Sequence, residues 1–160
     1  PRAELTGSIE AEHALQRLRP SRPCLAGQRW EWDGVAFEVL HPLPGDDAPG
    51  AAKAPRPNAL SCVLRIASPA GSALLAGDIE SRQELDLVER LGSRLRSTLL
   101  LVPHHGSNTS STPGFLRAVQ PSQLVVQAGR HNRYGHPAAA VTDRYDAMGL
   151  PWVATPGPLP

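Results

Sequence analysis

The sequence predicts a mixed α/β (α+β) fold, on three observations. Residues 30–40 alternate apolar and polar side chains about an Asp33-Gly34 pair, the signature of a tight β-hairpin. From Ala73 onward, short apolar runs alternate with amphipathic helical stretches, the pattern of β-α units. Three of those runs end in polar clusters, at Gly77-Asp78, at residues 104–111 and at residues 129–137. Folds of this class place their chemistry on loops at strand ends.

In chain order, Ser8 is placed to cap a helix over residues 9–18, with Glu10 and Glu12 in its first turn, Arg17 and Arg19 at its end, and Pro20 as its stop. His13 then lies on a solvated helix face. Trp30, Trp32, Val35, Phe37 and Val39 form one side of the hairpin, and His41-Pro42 leads into a loop. Residues 43–57 hold four prolines with Gly and Ala, so this loop is expected to be mobile. Residues 60–67 and 73–76 read as paired strands joined by a Ser-Pro-Ala-Gly-Ser turn. A helix follows over residues 82–95 with Leu85, Val88, Leu91 and Leu95 as its stripe, and Ser81 with Glu84 forms an S-x-x-E capping box. That box leaves Asp78 without a capping duty.

Residues 98–102 read as a buried strand that Pro103 ends, because proline has no N–H to donate. Thr112 caps a short helix with Pro113 at its first position and Phe115, Leu116 and Val119 inward. Residues 124–128 form another buried strand. Residues 137–148 read as a helix stopped by Gly149, residues 152–154 as a last edge strand, and residues 156–160 as a frayed end.

Composition narrows the function. With 160 residues and 41% hydrophobic content, the chain suits one domain with a real core and excludes general disorder. A net charge of +1 makes no global commitment to nucleic acid or membrane. Cys24 and Cys62 read as small buried positions rather than a disulfide, and two cysteines alone make no zinc site. No apolar run approaches the roughly 20 residues that cross a bilayer. The chain opens on Pro1 and closes on a Pro-rich tail, so it reads as a piece of a longer protein.

The candidate site draws on all three strand-end clusters. Asp78 and His105 are the proposed metal ligands, an oxygen and a nitrogen donor suited to first-row ions. Adjacent imidazoles point apart, so His104 is free for catalysis or a phosphate contact. Ser107, Asn108 and Thr109 are candidate hydrogen-bond donors to phosphate oxygens. Arg130, Asn132, Arg133 and His136 offer charge and protonation of a leaving oxygen, with His136 and Asn132 assigned to catalysis and Tyr134 a stacking surface. A serine hydrolase on Ser107 is disfavoured because no G-x-S-x-G elbow surrounds it.

Gly77-Asp78, Val102-Pro103-His104-His105-Gly106-Ser107 and Asn132-Arg133-Tyr134-Gly135-His136-Pro137 together resemble the metallo-β-lactamase superfamily, and more narrowly the C-terminal lactamase-like domain of the ComEC family of competence DNA-uptake proteins. The resemblance extends from about Cys24 to Thr155 through Gly27, Trp30, Trp32-Asp33-Gly34-Val35, His41-Pro42 and Asn58 with Ser61-Cys62-Val63-Leu64. It implies an αββα sandwich, of which residues 1–160 would be the C-terminal portion. It implies one or two divalent ions, Zn or Mn, with Asp78 as the bridging acid and the His104-His105 pair as the late histidine. The family's H-x-[HD]-x-D-H motif is absent from these residues, so the remaining ligands would lie upstream of Pro1 and the piece alone would bind metal poorly and be inactive.

The implied activity is a nuclease or phosphodiesterase in DNA uptake. Its implied partners are single- or double-stranded DNA and the rest of a membrane-channel polypeptide. The implied location is a soluble domain of a bacterial inner-membrane protein. Two alternatives stand beside it: a noncatalytic DNA-binding or docking module, and a free-standing phosphoesterase. Nothing in the sequence speaks to oligomeric state.

Overall fold

The computed structural model describes residues 23–46, 56–129 and 132–155. The helix expected over residues 9–18 with His13, the middle of the Pro-rich loop, Arg130 and the tail after Thr155 lie outside the described residues.

The fold is α+β, with one mixed sheet of seven strands arranged in chain order. Strands β1 (Arg29–Trp32) and β2 (Val35–His41) form the expected hairpin. Its turn works because Asp33 and Gly34 both take positive φ, 48° and 75°, which a two-residue turn between twisted strands needs. Strands β3 (Val63–Ser68) and β4 (Gly71–Leu75) continue the antiparallel ladder. From β4 the sheet turns parallel through β5 (Leu99–Leu101), β6 (Gln123–Gln127) and β7 (Trp152–Thr155).

Each parallel step is bridged by a helix: α1 (Ser81–Leu91), α2 (Pro113–Val119) and α3 (Ala139–Ala147). Right-handed crossovers between strands laid down in sequence put every connecting helix on the same face of the sheet. The core agrees. Leu87 of α1, Leu116 of α2 and Val141 and Tyr145 of α3 pack with Leu74, Leu100 and Leu124, the middle residues of successive strands.

The residues between them face the other way. Register carries Leu64, Leu75, Leu101, Val125 and Val153 across five neighbouring strands in one row. Trp30, Phe37, Ile66, Ala73 and Leu99 make a second row beside it. Neither row belongs to the core, and Val153 and Trp30 are half exposed, at 53% and 46%. This second face is mostly apolar, with Gln123, Gln127 and Thr155 as its polar residues on β6 and β7.

Three expectations need correction. Cys24 and Cys62 form a disulfide, with Cα atoms 5.9 Å apart; Cys24 is half-buried and Cys62 is exposed. Strand pairing explains why. Ala26 N–H donates to the Pro42 carbonyl and His41 pairs with Val63, so the segments before β1 and before β3 meet at the same end of β2. The second correction concerns α1. Its cap is Glu80, which forms a capping box with Gln83, while Glu84 is fully buried and accepts the backbone N–H groups of Ser111 and Thr112. An acid at the third position past Ser81 fits the capping pattern, but the chain needed it as an acceptor for the start of α2. Finally, α1 ends at Leu91, because Gly92 takes φ 49° and a 3-10 turn finishes the run to Leu95.

Candidate functional site

The three polar clusters meet at the carboxyl ends of β4, β5 and β6. Gly77-Asp78 leaves β4, the 3-10 turn Pro103–Gly106 leaves β5, and residues 132–137 follow β6. Backbone hydrogen bonds lock the loops together. His104 N–H donates to the Gly77 carbonyl at 2.9 Å, Ala138 N–H to Gly106 at 2.9 Å, and Ser81 N–H to Thr109 at 2.8 Å.

Glycine is required at two of these positions. At Gly77, φ 58°, a side chain would press on Ser61 and the Cys62 carbonyl, so the loop next to the disulfide sits directly against the turn that presents Asp78. At Gly106, φ 77°, a Cβ would lie 2.8 Å from Pro137 Cβ. That close approach brings the His104-His105 turn against the loop carrying His136.

Both histidines of the pair have positive φ, 49° and 55°. Side-chain-bearing residues occupy this region at a cost of about 1–2 kcal/mol each. The strain is held in place by the loop–loop bonds, and it sends the two rings to different partners. His105 Nε2 lies 3.5 Å from Asp78 Oδ1, while its Nδ1 lies 2.6 Å from the Gln127 carbonyl. A carbonyl accepts only, so Nδ1 carries a proton and Nε2 is the nitrogen that faces the carboxylate. A second group that orients the far nitrogen is what a metal-ligating histidine uses. Asp78 and His105 are 41% and 49% exposed as side chains, so both remain open to a ligand.

His104 turns the other way. Its Nδ1 lies 3.3 Å from Thr109 Oγ1 and 3.6 Å from Glu80 Oε1, and its Nε2 lies 3.4 Å from Asn58 Nδ2. The sequence argument missed Glu80 and Asn58. The available signal for Glu80 was its place two residues beyond Asp78 at the same strand tip; Asn58 stood among the residues of the family resemblance with no role assigned to it.

His136 closes the cluster, its ring centroid 5.9 Å from that of His104. Burial depresses its pKa below the usual imidazole value, and the neighbouring His104 and His105 add to the effect. Its Nδ1 is buried without a hydrogen-bond partner. Tyr134, 66% exposed, stacks over this ring at 5.9 Å, and the Arg133 guanidinium lies 4.8 Å from the Tyr134 centroid. Tyr134 and Arg133 thus form an exposed aromatic–cation pair.

Two expected residues take different positions from those the sequence suggested. Asn132 is engaged within its own loop: it accepts from His136 N–H at 2.9 Å and donates to the His136 and Gly129 carbonyls. It holds His136 rather than reaching outward. Ser107 is buried with its hydroxyl against Thr109, whereas Asn108 and Thr109 are exposed. His41, the loop-entry histidine, is buried and bonds the Ala59 carbonyl at 2.8 Å.

The donor set suits a divalent ion in chemistry and falls short in number. Asp78 and His105 provide an oxygen and an oriented nitrogen, but among the described residues no three His, Cys, Asp or Glu side chains are grouped to hold an ion. No helix among the described residues is long and apolar enough to cross a membrane.

No protein-family model matches the chain. It is similar to Competence protein ComA of Neisseria gonorrhoeae, 42% identical over 84% of this chain and 18% of that protein. It is 32% identical to Recombination protein 2 of Haemophilus influenzae, over 85% of this chain and 17% of that protein. It is also 34% identical to ComE operon protein 3 of Bacillus subtilis, over 64% of this chain and 12% of that protein. The chain spans less than a fifth of the length of these relatives, and it is related to one segment of them.

Proposed function

We propose that the chain is the C-terminal portion of a metallo-β-lactamase-like domain in a competence protein, and that the complete domain hydrolyses phosphodiester bonds of DNA during uptake. The observation that carries the reading is the Asp78–His105 pair. It lies at the carboxyl ends of parallel strands, with Nδ1 of the histidine turned onto the Gln127 carbonyl and Nε2 3.5 Å from the acid. Relatives named for competence supply the biological setting.

Asp78 and His105 would hold part of a site for one or two divalent ions, Zn or Mn, whose other ligands lie upstream of Pro1. When bound, such ions supply a more acidic water and neutralise charge on a phosphodiester. The chain's own residues then divide the remaining work. Asn108, exposed in the same loop, donates hydrogen bonds to nonbridging oxygens, while the Thr109 hydroxyl is turned onto Glu80 and His104. His136, its ring 5.9 Å from that of His104, faces the leaving oxygen, and Tyr134 with Arg133 offers a face for a base and a charge for the backbone.

The apolar second face of the sheet supports the idea of a half-built domain. A sheet covered by helices on one side and apolar on the other buries both faces in a layered sandwich. Relatives of which this chain matches less than a fifth have sequence to supply the second layer. In this reading the parent is a membrane-channel polypeptide and this segment its DNA-processing part.

The test is Asp78→Asn in the full-length parent, assayed for cleavage of single- and double-stranded DNA with Zn or Mn. Loss of one ligand should cost several kcal/mol in the transition state, a rate loss of about 100-fold or more. The melting temperature should be nearly unchanged, because exposed ion pairs contribute about 0–1 kcal/mol. Retained cleavage with a lowered melt would make Asp78 a structural residue and leave a noncatalytic DNA-binding or docking module as the function.

A further inference from the structure

The site contains two carboxylate–imidazole pairs built side by side, and only one has been given a role. In the second, Glu80 and His104 are joined through a hydroxyl. Thr109 Oγ1 donates to Glu80 Oε1 at 3.4 Å and lies 3.3 Å from His104 Nδ1. The Ser107 hydroxyl, 3.2 Å from Thr109 Oγ1, can donate to it; with the Thr109 proton on the carboxylate, the hydroxyl oxygen accepts toward the imidazole and Nδ1 is the donor. On the far side of the ring the Asn58 amide nitrogen faces Nε2 at 3.4 Å, which matches a lone pair there. All four groups come from different parts of the chain: the 3-10 turn Pro57–Leu60, the cap of α1, the strained turn after β5, and the loop before α2.

We infer that Glu80, acting through Thr109, is a positioning residue that holds His104 as the Nδ1–H tautomer. Nε2 is thereby kept as an acceptor toward the site, ready to exchange the Asn58 amide for a hydroxyl or water of a bound phosphodiester. The inference deepens the proposed hydrolytic site and rests on His104 belonging to it. It also explains why both histidines accept positive φ. From that backbone the adjacent residues send one Nδ1 to the Gln127 carbonyl and the other to Thr109.

The test is the tautomer itself, read by long-range proton–nitrogen correlation on protein labelled with nitrogen-15 histidine, without metal or substrate. His104 is assigned by its disappearance in His104→Gln. Wild type should show the Nδ1–H pattern for both His104 and His105. Thr109→Val, close in shape but without the hydroxyl, should abolish that pattern at His104 and leave His105 unchanged. Thr109→Ser should restore it.

Glu80→Ala should act as Thr109→Val does. Since Glu80 also caps α1, the Thr109 variants decide the question if Glu80→Ala does not fold. An Nε2–H pattern at His104 in wild type, an unchanged pattern in Thr109→Val, or equal changes at both histidines would each overturn the inference. The readout needs no cleavage, so it can succeed even if the proposed nuclease activity fails, and the reverse.

Discussion

Gly106 shows how a single residue ties the candidate site together. Its φ of 77° and the 2.8 Å approach of a would-be Cβ to Pro137 mean that no side chain fits between the His104-His105 turn and the His136 loop. Gly106→Ala should therefore cost left-handed strain plus the displacement of Pro137, together about 2–4 kcal/mol. Urea denaturation gives the loss directly, and the separation of His104 from His136 should disturb both imidazole resonances. An unchanged midpoint would show that the two loops move apart freely. At this scale the sequence was legible where chemistry and position coincide: Asp78, His104, His105 and His136 do converge. It was illegible where one residue type serves several purposes. Glu84 matched a capping pattern and instead receives two N–H groups from the start of α2. Asn132 looked like a catalytic amide and is engaged in shaping its own loop.

Among elements, strand and helix order followed from periodicity, because each β-α unit repeats a short apolar run and an amphipathic stripe. Pairings between distant segments did not, since spacing says nothing about which strands become neighbours. The Cys24–Cys62 disulfide is such a pairing. It closes a loop over 38 residues and fixes the segment before β1 to the one before β3, next to the Gly77 turn. In the chain-entropy view, a loop of that length contributes about 4 kcal/mol by restricting the unfolded chain. Reduction, or the pair Cys24→Ser with Cys62→Ser, should lower the stability by about that amount and loosen the Ser61–Gly77 contact. Thermal melts with and without reductant measure it. A melt unaffected by reductant would mean that β2–β3 pairing alone holds this corner. The bond also forms and persists in oxidising surroundings, which bears on where this chain folds.

The molecule as a whole has one finished face and one unfinished one. On the helix side, Leu74, Leu100 and Leu124 are fully buried among α1, α2 and α3. On the other side Leu64, Leu75, Leu101, Val125 and Val153 run in register across five strands and belong to no core. Apolar patches of this extent on a protein surface mark places where another structure packs. If the rest of the parent supplies that layer, the same substitution must have different costs in the two settings. Leu75→Gln with Leu101→Gln places polar groups on this face. In the 160-residue chain they should change stability by less than about 1 kcal/mol and reduce self-association, because these residues are only partly buried. In the full-length parent the same pair would lose well-packed contacts and bury amides, costing about 2–5 kcal/mol per site. Denaturation midpoints of both proteins, with and without the pair, separate the cases. Equal losses in chain and parent would mean that nothing packs on this face in the parent, and the half-sandwich reading would fall with it. A large loss confined to the parent would place the missing layer against Leu75 and Leu101, the strands whose ends carry Asp78 and the histidine pair.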